Sequence, residues 1–239
     1  VEGLLFAFVA GSTAFAAEYG PALEGDLLAT DAAPVEDTAS PNVGCSDQYL
    51  QDGVTLPDLP LFYVRAQPDH SWGSQIMVDL IVDAGRYMSW LMPQASRFVV
   101  GDISRGGGGY LAGHVSHRGG VDADIGIYKK GGWQNERGFT QLAPSELDVE
   151  ATWALAHQML SSGKVDFILL DRSLIARLKS YVLGAGLVTE EEAARMFPVE
   201  GTRATWENTG IFRHAPHHQD HMHVRVLCSD GSRAGDGYR

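Results

Sequence analysis

The chain has 239 residues, of which 44% are hydrophobic and 20% charged, a composition that excludes collagen-like, low-complexity and wholly disordered classes. Its net charge of −12 is unevenly placed: the first 64 residues hold ten Asp/Glu and no Lys or Arg, and the remainder sets 18 Lys/Arg against 20 Asp/Glu. No basic stripe is available to neutralise phosphates, so nucleic acid is excluded as a partner.

Residues 4–17 (LLFAFVAGSTAFAA) form an apolar run too short to span a bilayer as a helix. It ends in Ala14-Phe15-Ala16, the small-x-small pattern of a signal-peptidase site. The start lacks Met and a basic segment, so a truncated beginning is expected, with 1–17 the remnant of a signal peptide. Residues 18–44 are acidic and rich in Ala, Pro and Thr, with little to bury, and read as the flexible lead-in of an exported protein. Nothing after Ala17 reads as a transmembrane helix, so no integral membrane segment is expected in the mature chain. Cys45 and Cys228 are even in number and form no C-x-x-C pair. In an oxidising compartment they are expected to form a disulfide.

The folded domain is expected over 45–230, followed by a polar tail at 231–239. Residues 56–64 are extended and punctuated by Pro; 74–92 carry apolar residues at helical spacing, with Pro93 as a stop. Residues 97–103 read as a strand. Gly106 to Gly109 predicts a loop whose backbone can approach a ligand closely, without the spacing of a phosphate loop. Residues 121–128 alternate, with Asp122 and Asp124 on one face and Ala123 and Ile125 on the other. A helix is expected from Ser145 to about Ser162, then a buried strand at 165–170 and a helix at 173–183. Thr189 and Glu192 predict a capping box for a short helix ending before Pro198. Residues 219–227 alternate again, with His221, His223 and Arg225 on one face. Strands and helices intermingle without a regular βαβ rhythm. An α+β fold is expected, with a central antiparallel sheet flanked by helices.

Seven of the nine histidines fall in two windows: His114 and His117, then His214, His217, His218, His221 and His223. A catalytic zinc needs three protein ligands and an open position. If the two alternating strands are neighbours, His117, Asp124 and His223 converge on one metal. His221 then lies one pleat away, placed for a proton rather than the metal. Asp122 either hydrogen-bonds backbone or orients a ligand histidine. His70 and His157 are expected to have no part. Ser161 and Lys164 match the S-x-x-K pattern of penicillin-binding proteins, but at a helix end and without a Lys-Thr-Gly companion, so that reading is rejected.

The stretches Gly113-His114-Val115-Ser116-His117-Arg118-Gly119-Gly120-Val121-Asp122-Ala123-Asp124 and His218-Gln219-Asp220-His221-Met222-His223-Val224-Arg225 resemble the two signatures of the penicillin-insensitive murein endopeptidases. These belong to the wider group of lysostaphin-type, D-Ala-D-Ala and hedgehog-like zinc peptidases. Val100-Gly101-Asp102-Ile103-Ser104 is similar to that family's lead-in. The resemblance covers about 61–228 and implies a single zinc peptidase domain. It implies that His117, Asp124 and His223 hold Zn2+, that His221 is the catalytic base, and that His218 and His114 assist proton transfer or hold substrate. The implied reaction is hydrolysis of D-Ala–diaminopimelate-type cross-links of peptidoglycan in the periplasm. The two cysteines imply a simpler disulfide framework than in better-known members, and the acidic lead-in has no counterpart. Two alternatives stand beside this reading. One is a D,D-carboxypeptidase or other envelope peptidase of the same zinc group. The other is a non-catalytic periplasmic metal-binding protein using residues 214–223, which has no use for the distant Asp124.

Overall fold

A computed structural model of the protein describes residues 45–93, 97–131, 138–197 and 210–235, all within the compact unit Asn42–Arg239. The expected signal remnant, the lead-in and residues 236–239 lie outside the described residues. In chain order the elements are β1 (Val54–Thr55), β2 (Tyr63–Arg65), β3 (Trp72–Gly73), α1 (Gln75–Leu91), β4 (Phe98–Val100), β5 (Asp122–Gly126), α2 (Val149–Ser161), β6 (Val165–Leu170), α3 (Arg172–Gly184), α4 (Glu190–Met196), β7 (Phe212–His214) and β8 (His221–Val226). A 3-10 turn at Pro68–His70 precedes β3.

The fold is α+β, built on a six-stranded sheet of order β2-β4-β5-β8-β6-β7, with β1 and β3 pairing apart from it. Its centre, β4-β5-β8-β6, is antiparallel as expected. The outer pairs β2-β4 and β6-β7 are parallel, so the sheet is mixed. Parallel neighbours need a long crossover. Helix α1 supplies it for the first pair, and α3 with α4 lies between the strands of the second. Two βαβ crossovers are thus present at the sheet's edges, without a regular βαβ rhythm along the chain.

The helices form where spacing and caps agree. Ser74 accepts from Met77 N at the start of α1, and Met77, Ile81, Ala84 and Met88 lie buried along one stripe. Thr189 and Glu192 form the predicted reciprocal capping box of α4. Helix α2 starts later than expected, at Val149 rather than near Ser145. Asp148 is its cap, accepting from Ala151 N, because the preceding residues are committed to a turn: Ala143 N donates to Glu146 Oε2 and Asp148 N to Tyr128 O.

The alternation along β5 and β8 divides the sheet into two faces. Ala123, Ile125, Ile168, Leu170, Phe212, Met222, Val224 and Val226 pack into one apolar core with residues of α1, α2 and α3. The opposite face carries Asp122, Asp124, His223 and Arg225, all buried.

Cys45 and Cys228 form the expected disulfide across 183 residues, anchoring the first described residue just beyond β8. The packing runs on past residue 230, since Ala234 is buried and Arg233 Nε lies 3.0 Å from Asp166 Oδ1. Gly107, Gly108 and Gly109 all have positive φ, and a Cβ on Gly108 would strike Arg118 O and Leu50 N. The close approach is to the chain's own backbone, with Gly109 N donating to Arg118 O at 2.9 Å.

Candidate metal centre

Strands β5 and β8 are direct antiparallel neighbours, and their register sets Asp124 opposite His223 and Asp122 opposite Arg225. Paired residues share a face, so the carboxylates and the imidazole meet on the side away from the helices. His117 enters from the loop before β5, with a left-handed φ of 42°. A non-glycine residue holds that conformation only where its surroundings fix it. Here the ring is buried and bonded to Ile103 O at 3.1 Å.

Three donor atoms converge. His117 Nε2 lies 3.1 Å from His223 Nδ1 and 3.1 Å from Asp124 Oδ1, and His223 Nδ1 is 3.2 Å from the same oxygen. A tetrahedral ion with bonds of about 2.0 Å needs donors about 3.3 Å apart. The outer nitrogens of both rings are already used. His117 Nδ1–H donates to Ile103 O, and His223 Nε2–H donates to Asp122 Oδ1 at 2.8 Å. The inner nitrogens therefore present lone pairs toward a carboxylate oxygen, in a site where His117 is 1% exposed and Asp124 and His223 are 4% exposed. Buried acceptors gathered this closely need a cation among them, so the donor set fits a metal.

His114, His117 and Asp124 also form a possible metal site, with donor atoms all within 4.8 Å. His114 Nδ1 is 3.8 Å from Asp124 Oδ2, longer than an edge of the tetrahedron, so His223 completes the tighter set.

Asp122 bonds to a histidine side chain of the neighbouring strand. It holds His223 and also receives a two-pronged bond from Arg225, Nε to Oδ1 at 2.8 Å and Nη2 to Oδ2 at 2.9 Å. Burial opposes its ionisation, yet His223 and Arg225 keep it far below the ordinary carboxylate pKa.

Two histidines flank Asp124. His221 Nδ1–H donates to Asp220 Oδ1 at 2.6 Å, leaving Nε2 3.5 Å from Asp124 Oδ1. The Phe139 ring stacks on His221 at 4.8 Å between centroids. Gly101 leaves room for that ring, since a Cβ there would lie 2.6 Å from Phe139 Cζ. His114 Nε2 is 2.8 Å from Asp102 Oδ2, and the other oxygen of Asp102 receives His70 Nδ1 at 2.7 Å. Burial would raise Asp102, but its bonds to His114 and His70 lower it; His114 is raised by its bond to Asp102, against burial. His218 packs 4.7 Å from His221 between ring centroids and donates from Nδ1 to Pro216 O. Burial pulls it down to about 4.

All six site residues expected from sequence, His114, His117, Asp124, His218, His221 and His223, are thus gathered at one end of β5 and β8. His214 is not: its Nδ1 accepts from Arg172 N at the start of α3. His157 lies beside Trp153 on α2, 5.5 Å between ring centroids. His70 was expected to have no part and is instead bonded to Asp102. Asp102, Asp220 and Phe139 were not singled out. Asp102 and Asp220 stand within the quoted motif stretches, which was the available signal. Ser161 is exposed at the end of α2, its Oγ donating to Gln158 O, consistent with rejecting the S-x-x-K reading.

An α+β domain with a buried His/Asp donor set between two carboxylate-backed histidines is equipped for metal-assisted hydrolysis. Residues 43–161 match the sequence model of the family described as penicillin-insensitive murein endopeptidase, and the chain belongs to that family. Membership gives it peptidase activity with peptidoglycan as substrate. The match spans His114, His117 and Asp124 and stops before β8. No curated protein matches the chain. Among the described residues no helix is long and apolar enough to cross a membrane.

Proposed function

We propose that the protein is a zinc-dependent D,D-endopeptidase that hydrolyses D-Ala–diaminopimelate-type cross-links of peptidoglycan in the periplasm. It would arrive there through the signal segment at 1–17, with 45–230 as the peptidase domain. The observation that carries this reading is the mutual 3.1–3.2 Å spacing of the His117, Asp124 and His223 donors. Their outer nitrogens are already committed, as is usual for ligand histidines.

His117, Asp124 and His223 would hold the zinc, which would supply Lewis-acid activation of water and of the scissile carbonyl. The chain's own groups handle the proton. Asp220 takes the Nδ1–H of His221, which leaves Nε2 as the acceptor facing the site. His221 therefore takes the proton of the attacking water at Nε2 and returns it to the leaving amine. Phe139 holds the His221 ring in plane. Asp122 keeps the Nε2–H of His223 turned outward, so that Nδ1 faces inward. His218, neutral above about pH 4, and His114 line the site as groups that hold substrate or assist transfer. No serine nucleophile is involved.

Digestion of purified sacculi tests this reading. Cross-linked muropeptide dimers should be converted to monomers, a chelator should abolish the conversion, and penicillin should leave it unchanged. Release of free D-Ala with the dimers intact would identify a carboxypeptidase instead. Covalent labelling of Ser161 by penicillin would overturn the reading.

A further inference from the structure

Asp102 lies in the loop after β4, and each of its carboxylate oxygens meets a different imidazole: Oδ2 that of His114 at 2.8 Å and Oδ1 that of His70 at 2.7 Å. A carboxylate is acceptor-only, so both rings donate to it. The proton on His114 is thereby fixed at Nε2, and Nδ1 is turned toward Asp124 Oδ2, 3.8 Å away. Asp102 is itself held from behind, because Ile103 N and Ser104 N both donate to His70 O. Its carbonyl accepts from Asp124 N at 3.0 Å, which ties its backbone to the metal-site strand. The arrangement repeats, on the other side of Asp124, what Asp220 does for His221.

We propose that Asp102, anchored by His70, is a positioning residue that acts through His114, holding its Nε2–H outward and its Nδ1 against the reacting group. The catalytic half of this proposal rests on the endopeptidase reading; the positional half does not. Outer partners of metal-ligating histidines are worth about 10- to 100-fold in metal affinity or activity, and an effect of that order is expected for Asp102 behind a histidine beside the ligand set. Asp102 is one-fifth exposed at its side chain, so its truncation leaves no sealed cavity.

The experiment combines a mutant cycle with spectroscopy. Asp102→Ala and His114→Ala should each lower kcat on cross-linked muropeptides by about 10- to 100-fold. Neither should change KM or the bound metal stoichiometry. The double variant should be no worse than the more damaged single one, since Asp102 has nothing to position without the imidazole. Asp102→Asn should recover part of the loss, because its amide oxygen still accepts from one ring. It also serves as the folded comparison if Asp102→Ala is unstable. In nitrogen-proton correlation spectra the His114 Nε2–H signal should be present in the parent and lost in Asp102→Ala. Losses that multiply in the double variant, or a His114 Nε2–H signal that survives Asp102→Ala, would overturn the proposal. If the parent cleaves no muropeptide, the endopeptidase reading fails while the spectrum still decides the role of Asp102.

Discussion

His223→Ala is expected to be metal-poor and inactive, whereas His221→Ala is expected to keep its metal and lose turnover by about 10²–10⁴-fold. The two residues share a face of β8 and differ by one pleat. Their surroundings separate them. His223 Nδ1 sits 3.1 Å from His117 Nε2 and 3.2 Å from Asp124 Oδ1, with its other nitrogen given to Asp122. His221 is farther, 3.5 Å from Asp124 Oδ1, and its other nitrogen is given to Asp220. Removing one of three protein ligands leaves two, too few for a stable site. Removing a base leaves the ligand set whole. Asp124→Ala and His117→Ala should behave as His223→Ala does. Zinc content measured on the purified variants, beside a turbidity assay on peptidoglycan, gives the comparison. Zinc lost from His221→Ala but retained by His223→Ala would reverse the two roles.

Replacing Cys45 and Cys228 with Ser together is expected to destabilise the fold by about 2–5 kcal/mol. The bridge closes a loop of 183 residues, and on the chain-entropy view a long loop costs the unfolded chain most when it is closed. The bond also ties the segment before β1 to the residue just beyond β8, the strand that carries His221 and His223. Loss of the bridge should therefore loosen the metal site as well as lower the denaturation midpoint. Denaturant titration of the double variant against the parent measures the first effect. Two reactive thiols in the unfolded, unreduced parent would contradict the bridge.

The site was legible where the chemistry is local. Asp122 and Asp124 on one alternating strand, and His221, His223 and Arg225 on another, fixed their faces before any pairing was known. The antiparallel register of β5 and β8 then needed no further signal to bring Asp124 opposite His223. The capping box of α4 was readable for the same reason, since both partners lie within four residues. What escaped was set by contacts distant in sequence. His70 looked like an isolated polar residue because its partner, Asp102, is 32 positions away. The later start of α2 depends on the bond between Asp148 N and Tyr128 O, which no local pattern at Ser145 reveals. The parallel outer pairs escaped because β2, β4 and β7 are three residues each. Strands so short carry too little alternation to announce their neighbours.

We propose that zinc is held by His117, Asp124 and His223 and not by His114. An anomalous difference map collected at the zinc absorption edge from crystals of the zinc-loaded protein tests it most directly. One peak is predicted, about 2.0–2.2 Å from His117 Nε2, His223 Nδ1 and Asp124 Oδ1, with His114 outside bonding distance. A peak bonded to His114 in place of His223, or no peak at this site in the zinc-loaded protein, would contradict it.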